Sequence, residues 1–158
     1  MTHDPFAPQE MSPEKAVAMT RRIVARTRGT QRKLRPQVAL VARALHGAGS
    51  DIDGGFSAEE LTSPLPLKAA KVVEMLQATF TDDAALAARL EAKVTSFREA
   101  EETLASAEAG LGGGAPLPDA QLQALKAAAI ALSRFHEGMQ NDPLLAQVFP
   151  PPTLLQAD

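Results

Sequence analysis

One apolar phase runs through the first third of this chain without resetting. Placed at 100° per residue, Ala16, Thr20, Ile23, Thr27, Leu34, Val38, Val41 and Leu45 fall within an arc about 60° wide. The run crosses both Gly29 and Pro36, where a true break would shift the rotation. The sequence therefore predicts one helix from about residue 13 to 47, about 50 Å long. Ser12 followed by Pro13 is its start signal: a side-chain cap, then the residue best tolerated in a first turn. Pro36 removes one backbone hydrogen bond and crowds the carbonyl a turn earlier, so a kink is expected there. The competing reading is two helices meeting near residues 29 to 31.

Past this helix, GAGSDIDGGFSAEELTS is a glycine-rich connection with room for one short turn at Ala58 to Leu61. A second helix is predicted over about 64–80, with Leu65, Ala69, Val72, Val73, Leu76 and Phe80 on one face. Thr81, Asp82 and Asp83 supply a cap and first-turn negative charge for a third helix over about 83–109, striped by Leu86, Leu90, Val94, Phe97 and Leu104. GLGGGAPLP ends it. A fourth helix starts after Asp119, presents Leu122, Leu125, Ala129, Leu132, His136 and Met139, and closes at Gly138 and Asn141; a further short turn is read at Asp142 to Val148.

The fold class that results is all-α: a bundle of about four helices with a long, kinked N-terminal member. The first helix is expected to pack its stripe on a hairpin of the second and third, with the fourth closing the core. Residues 1–11 read as an N-terminal arm, 12–149 as one helical domain and 150–158 as a proline-rich tail. Alanine supplies much of the 45% hydrophobic content, and Trp and Tyr are absent. Thin alanine-rich stripes suit closely packed helices better than a β-sandwich. They also bury modest area, which leaves self-association to supply part of the stability.

The charge is segregated. Residues 1–47 carry nine Lys or Arg against three acids, a balance of +6, and the remainder carries seven against sixteen, a balance of −9. Most of the basic charge lies on the first helix, as Arg21, Arg22, Arg26, Arg28, Arg32, Lys33, Arg35 and Arg43. On the same wheel Arg21, Arg28, Arg32, Arg35 and Arg43 cluster opposite the apolar stripe, and Arg22, Arg26 and Lys33 flank them. Such a face could neutralise several phosphates and give salt-sensitive affinity for nucleic acid. It could equally be solvated, or paired with acidic helices of this chain or a partner. No aromatic residue interleaves with it to stack on a base. As a membrane-binding helix it lacks a Trp, Phe or Leu wedge before Leu34, and no window of the chain approaches the ~18 uninterrupted apolar residues of a membrane span.

Catalytic and metal chemistry find little to work with. There is no cysteine, hence no disulfide, thiolate nucleophile or thiolate metal site, which fits a reducing compartment. Histidine occurs at positions 3, 46 and 136, and neither His46 nor His136 has a carboxylate three residues before it. Asp51, Asp53, Gly54, Phe56, Ser57 and Glu60 fall at positions 3, 5, 6, 8, 9 and 12 of a calcium loop, but Gly49 stands at the first ligand position and Pro64 interrupts the exiting helix. The segment is therefore a degenerate EF-hand pattern, read here as an acidic capped loop. GLGGG follows a helix and lacks the Lys and Ser/Thr of a phosphate loop; Ser50 is not in a nucleophile elbow. Glu99, Glu101 and Glu102 read as a solvated face, and Phe149 to Pro152 as a stop signal.

These observations predict a cytoplasmic, non-catalytic structural or adaptor protein that needs no cofactor and acts through a protein partner. The alternative is an accessory nucleic-acid binder using the basic face.

Overall fold

The computed structural model describes residues 12–52 and 54–141, and among them every regular element is helical. The order is α1 (Pro13–Gly47), α2 (Ala58–Thr62), α3 (Leu67–Asp82), α4 (Ala84–Leu111) and α5 (Asp119–Asn141). The all-α reading, the four main helices and the long first one all stand. The segment from 142 onward, with the turn expected there, lies outside the described residues.

Helix α1 is continuous through Gly29 and Pro36, 35 residues in one element. Its start is built as expected: the Lys15 amide donates to Ser12 Oγ at 3.3 Å, Pro13 occupies the first turn and Glu14 complements the helix dipole. Its end is a Schellman closure, in which the Ser50 amide donates to Leu45 O at 2.9 Å and the Gly49 amide to His46 O at 3.1 Å. Gly49 sits at φ +97°, a left-handed conformation that a side chain would disfavour.

The apolar seam of α1 differs from the wheel. Its N-terminal end buries Val17 and Val24 in place of Ala16 and Ile23, so that Val17, Thr20, Val24, Thr27, Gln31, Leu34, Val38, Val41 and Leu45 form the buried line. Their spacing alternates strictly between three and four residues, the 3.5-residue period of helices that wind around each other. Helix α4 buries Leu90, Val94, Phe97, Ala100, Leu104, Ala107 and Leu111, with Glu101 and Glu108 each next to a buried alanine, and the two helices run antiparallel, with Arg35 on Glu101 and Arg28 on Glu108.

Helix α3 starts three residues later than the periodicity suggests. Leu65 precedes Pro66, and a residue before proline is pushed out of helical conformation. Asp83 alone joins α3 to α4, accepting from the Leu86 amide at 3.0 Å as the cap of the second. One residue is too short for an antiparallel helical hairpin, which takes two to five. The expected α3–α4 hairpin is accordingly not the main packing unit: α3 lies against α1 and touches α4 lightly, while α4 packs chiefly on α5 and α1.

Two apolar clusters fill the interior. The larger joins Leu34, Val38, Val41 and Leu45 of α1 to Leu76 and Phe80 of α3, Leu90, Val94 and Phe97 of α4, and Leu132 of α5. The smaller joins Val17 and Val24 to Leu104, Ala107, Leu111, Leu117 and Leu125. Helix α3 contributes nothing to the smaller cluster, so among the described residues the N-terminal half of α1 is covered by α4 and α5. Accordingly α1 buries a single stripe there, whereas its C-terminal half also buries Leu40, Ala42 and Ala44.

Candidate binding surface

Apart from Lys15 in its first turn, the Lys and Arg residues of α1 divide into two groups. Arg28, Arg35 and Arg43, seven and eight residues apart, point along one side of the helix toward the rest of the chain. Arg28 donates to Gln31 Oε1 at 3.1 Å and pairs with Glu108. Arg35 reaches both oxygens of Glu101 at 2.9 and 2.8 Å and Glu60 at 2.9 Å, with its guanidinium carbon 4.5 Å above the Phe56 ring. Arg43 donates to Glu60 O at 2.9 Å, to Ser63 Oγ at 3.3 Å and to Ser63 O.

These contacts set the protonation equilibria. Burial works to lower the Arg35 pKa, but the charges and hydrogen bonds of Glu101 and Glu60 together raise it. Arg43, with no carboxylate side chain in contact, is lowered by burial. Burial would raise Glu60, yet the Ser57 amide and Arg35 together hold it below the ordinary carboxylate value.

The remaining five, Arg21, Arg22, Arg26, Arg32 and Lys33, are exposed, and none makes an ion pair among the described residues. They occupy two sides of α1. Arg21 and Arg32 line a groove toward α4 together with Arg28, Val24, Leu111 and Glu108, so an internal carboxylate already sits among them. Arg22 and Arg26 line a second groove toward α5, and Lys33 continues their line two turns on.

This second groove, of about 490 Å³, has Met19, Ile23, Thr27, Ala129 and Ile130 as its floor and Arg22, Arg26 and Lys126 as its rim. Ile130 is 53% exposed and Met19 36%. Thr27 turns its hydroxyl onto its own helix, donating to Ile23 O at 2.6 Å, so the floor presents little hydrogen-bonding capacity. Among the described residues no carboxylate lines the groove. Periodicity analysis assigned Ile23 to the core and passed over Met19, Lys126 and Ile130. The available signal was an apolar residue off the stripe of its own helix, as Ile130 is beside Leu125, Ala129 and Leu132.

Other sequence candidates resolve differently. Ser57 and Glu60 form a reciprocal capping box at the start of α2: the Glu60 amide donates to Ser57 Oγ at 3.1 Å and the Ser57 amide to Glu60 Oε1 at 3.3 Å. Glu60 also receives Arg35, so its carboxylate is spoken for. Asp51 is exposed, and Asp53 lies outside the described residues. Among the described residues no group of three His, Asp or Glu side chains is gathered to hold a metal ion. Glu101, read as solvated, instead turns inward: its carboxylate accepts from Gln31 Nε2 at 2.6 Å and from Arg35, whereas Glu99 and Glu102 stay exposed. The correction follows from the packing, since half-buried Glu101 borders the buried Ala100 and Leu104 on the side of α4 that meets Gln31 and Arg35, whereas Glu99 and Glu102 are exposed. His46 is exposed, and the side chain of His136 lies outside the described residues. No described helix is long and apolar enough to cross a membrane. No family model matches the chain, and comparison with curated proteins and with solved structures finds no match.

Proposed function

We propose that this chain is a non-catalytic structural or adaptor protein that binds another protein through its helical faces. The observation that carries this reading is the α1–α5 groove, an apolar floor with a basic rim on the half of α1 that buries a single stripe. Apolar floors with polar rims are the common anatomy of interaction surfaces. A cytoplasmic location belongs to the same proposal and fits a cysteine-free chain.

The nucleic-acid alternative draws on Arg21, Arg22, Arg26, Arg32 and Lys33, which make no ion pair among the described residues. Arg28, Arg35 and Arg43 already have partners within the chain, and these five are split between two sides of the helix. A duplex laid on either side would meet only part of the positive charge. Electrostatic binding to nucleic acid should weaken steeply with salt.

A photo-cross-linking residue in place of Ile130, in cells of the source organism, tests the two readings together. The expected result is a discrete protein adduct that disappears when Arg22 and Arg26 are changed to Glu. Absence of a protein adduct, together with salt-sensitive retardation of DNA or RNA by the purified chain that is lost on Arg21→Glu and Arg32→Glu, overturns the proposal in favour of the alternative.

A further inference from the structure

We infer that the α1–α5 groove receives an acidic amphipathic helix, its apolar face seated on Met19, Ile23 and Ile130 and its carboxylates on Arg22, Arg26 and Lys126. This rests on the interaction reading above and specifies the partner's chemistry. Three features of the groove select that occupant.

The first is charge imbalance. The α1–α4 groove holds Glu108 among its arginines and is partly neutralised from within, whereas among the described residues the α1–α5 groove holds two arginines, one lysine and no carboxylate. An acidic occupant supplies the complementary charge.

The second is spacing. Arg22 and Arg26 stand four residues apart on a continuous helix, a rise of about 6 Å. Carboxylates at positions i and i+4 of a second helix repeat that rise, so a helix lying along α1 meets both arginines while Lys126 meets it from the opposite rim. An anion with a single head engages one point of this row and leaves the others unpaired.

The third is the floor. Met19 and Ile23 lie one turn apart on α1, beside Ala129 and Ile130 on α5, which suits apolar side chains recurring at i, i+3, i+4 and i+7. Helices α1, α4 and α5 already make a three-helix arrangement around the smaller apolar cluster. A fourth helix in the open seam completes a bundle whose packing rules the other three obey. Nucleic acid would set phosphates over Met19 and Ile130, and among the described residues no aromatic lines the groove to stack on a base.

The test uses the full chain and a fluorescein-labelled synthetic helix of about twenty residues, with leucines on one face and glutamates at i, i+4 positions flanking them. Three comparators accompany it: the same peptide with Lys for every Glu, the same peptide with Ser for every Leu, and anionic phospholipid vesicles. Fluorescence anisotropy at low salt should show saturable binding of the acidic amphipathic peptide, about tenfold or more tighter than either peptide comparator.

Arg22→Glu with Arg26→Glu should weaken the acidic peptide about tenfold or more and turn the preference toward the lysine peptide. Ile130→Ser should weaken both. The exchange of preference is a gain of binding, so a merely unfolded variant cannot produce it, and an unchanged helical circular dichroism spectrum checks the fold.

Equal affinity for the acidic and lysine peptides, or acidic-peptide binding unchanged by the double reversal, overturns the inference. Vesicle binding lost on the same reversal, with no peptide binding, assigns the groove to a lipid surface instead. If the peptide fails while the Ile130 cross-link to a protein persists, the adaptor reading stands and the acidic-helix partner falls. If both fail, both fall.

Discussion

Arg35 and Glu101 show how single residues divide the core. Gln31 is buried at 4% exposure on the seam of α1, and Glu101 faces it from α4, so a polar layer separates the two apolar clusters. Among the described residues no buried side-chain polar atom lacks a partner, and the layer is therefore sound only as a set. Glu101→Leu strands the Gln31 amide and removes one of the two carboxylates on Arg35, which should cost about 2 kcal/mol. Adding Gln31→Leu removes the stranded group, so the double variant should be less destabilised than the two single losses summed, by about 1 kcal/mol. Urea unfolding of the four proteins measures this coupling, and strict additivity refutes it. Glu60 gives the layer's edge a pH dependence. Its pKa in the folded chain lies below the ordinary 4.5, so the Arg35 pair stabilises the fold above that pH and the contribution is lost as pH falls through the lowered value. Glu60→Gln keeps the capping box and removes the charge. Its melting temperature should therefore approach that of the parent on acidification below about pH 4.5 and fall short of it at neutral pH. A constant gap across that range contradicts the assignment.

At the scale of the element, α1 settles most of what the molecule can be. Pro36 lies in its interior, exposed, and leaves the Arg32 carbonyl without its helical donor. Proline inside a helix costs about 3 kcal/mol, and it returns about 1 kcal/mol by restricting the unfolded chain. Pro36→Ala should then stabilise the protein by about 2 kcal/mol in thermal or urea unfolding. A neutral or destabilising result means that the proline's geometry is itself used by the packing of α3 and α4. The continuity of α1 was legible because the apolar phase persists across Gly29 and Pro36. The identity of its seam was less so, for a definite reason. An ideal helix drifts about 20° per heptad against a 3.5-residue repeat. Four heptads separate Leu45 from Val17, and the accumulated drift of about 80° nearly equals one residue's rotation. A straight wheel centred on Leu34 to Leu45 therefore selects Ala16 and Ile23 where the wound helix buries Val17 and Val24. That same displacement hid the groove, because Ile23 counted as core was not available as surface. Glu101 was hidden likewise: its pairing with Gln31 and Arg35 is a contact 66 to 70 residues distant, which no local spacing reveals.

For the whole molecule, the segregation of charge between the first 47 residues and the rest becomes partly internal structure. Arg28 and Arg35 take up Glu108, Glu101 and Glu60, so positive charge on one side of α1 is answered within the fold. Among the described residues the side facing α5 is left unanswered, and this bears on the self-association expected from the thin helical stripes. Two copies joined through the α1–α5 groove about a twofold axis would each present the same patch. Arg22, Arg26 and Lys126 of one copy would then face the same three residues of the other across an apolar floor much smaller than the ~1,600 Å² of a standard stable interface. Repulsion at such separations is strongest when salt is dilute, since the screening length is about 10 Å at 0.1 M and longer below it. Sedimentation velocity at ~50 mM salt and tens of micromolar protein should therefore show no association through this face. Arg22→Glu with Arg26→Glu supplies the complementary sign, and an equimolar mixture of that variant with the parent should associate more than either alone. A parent dimer at low salt that Ile130→Ser dissolves would show instead that the groove accepts its own copy despite the charge, and would make a homotypic contact the groove's first occupant.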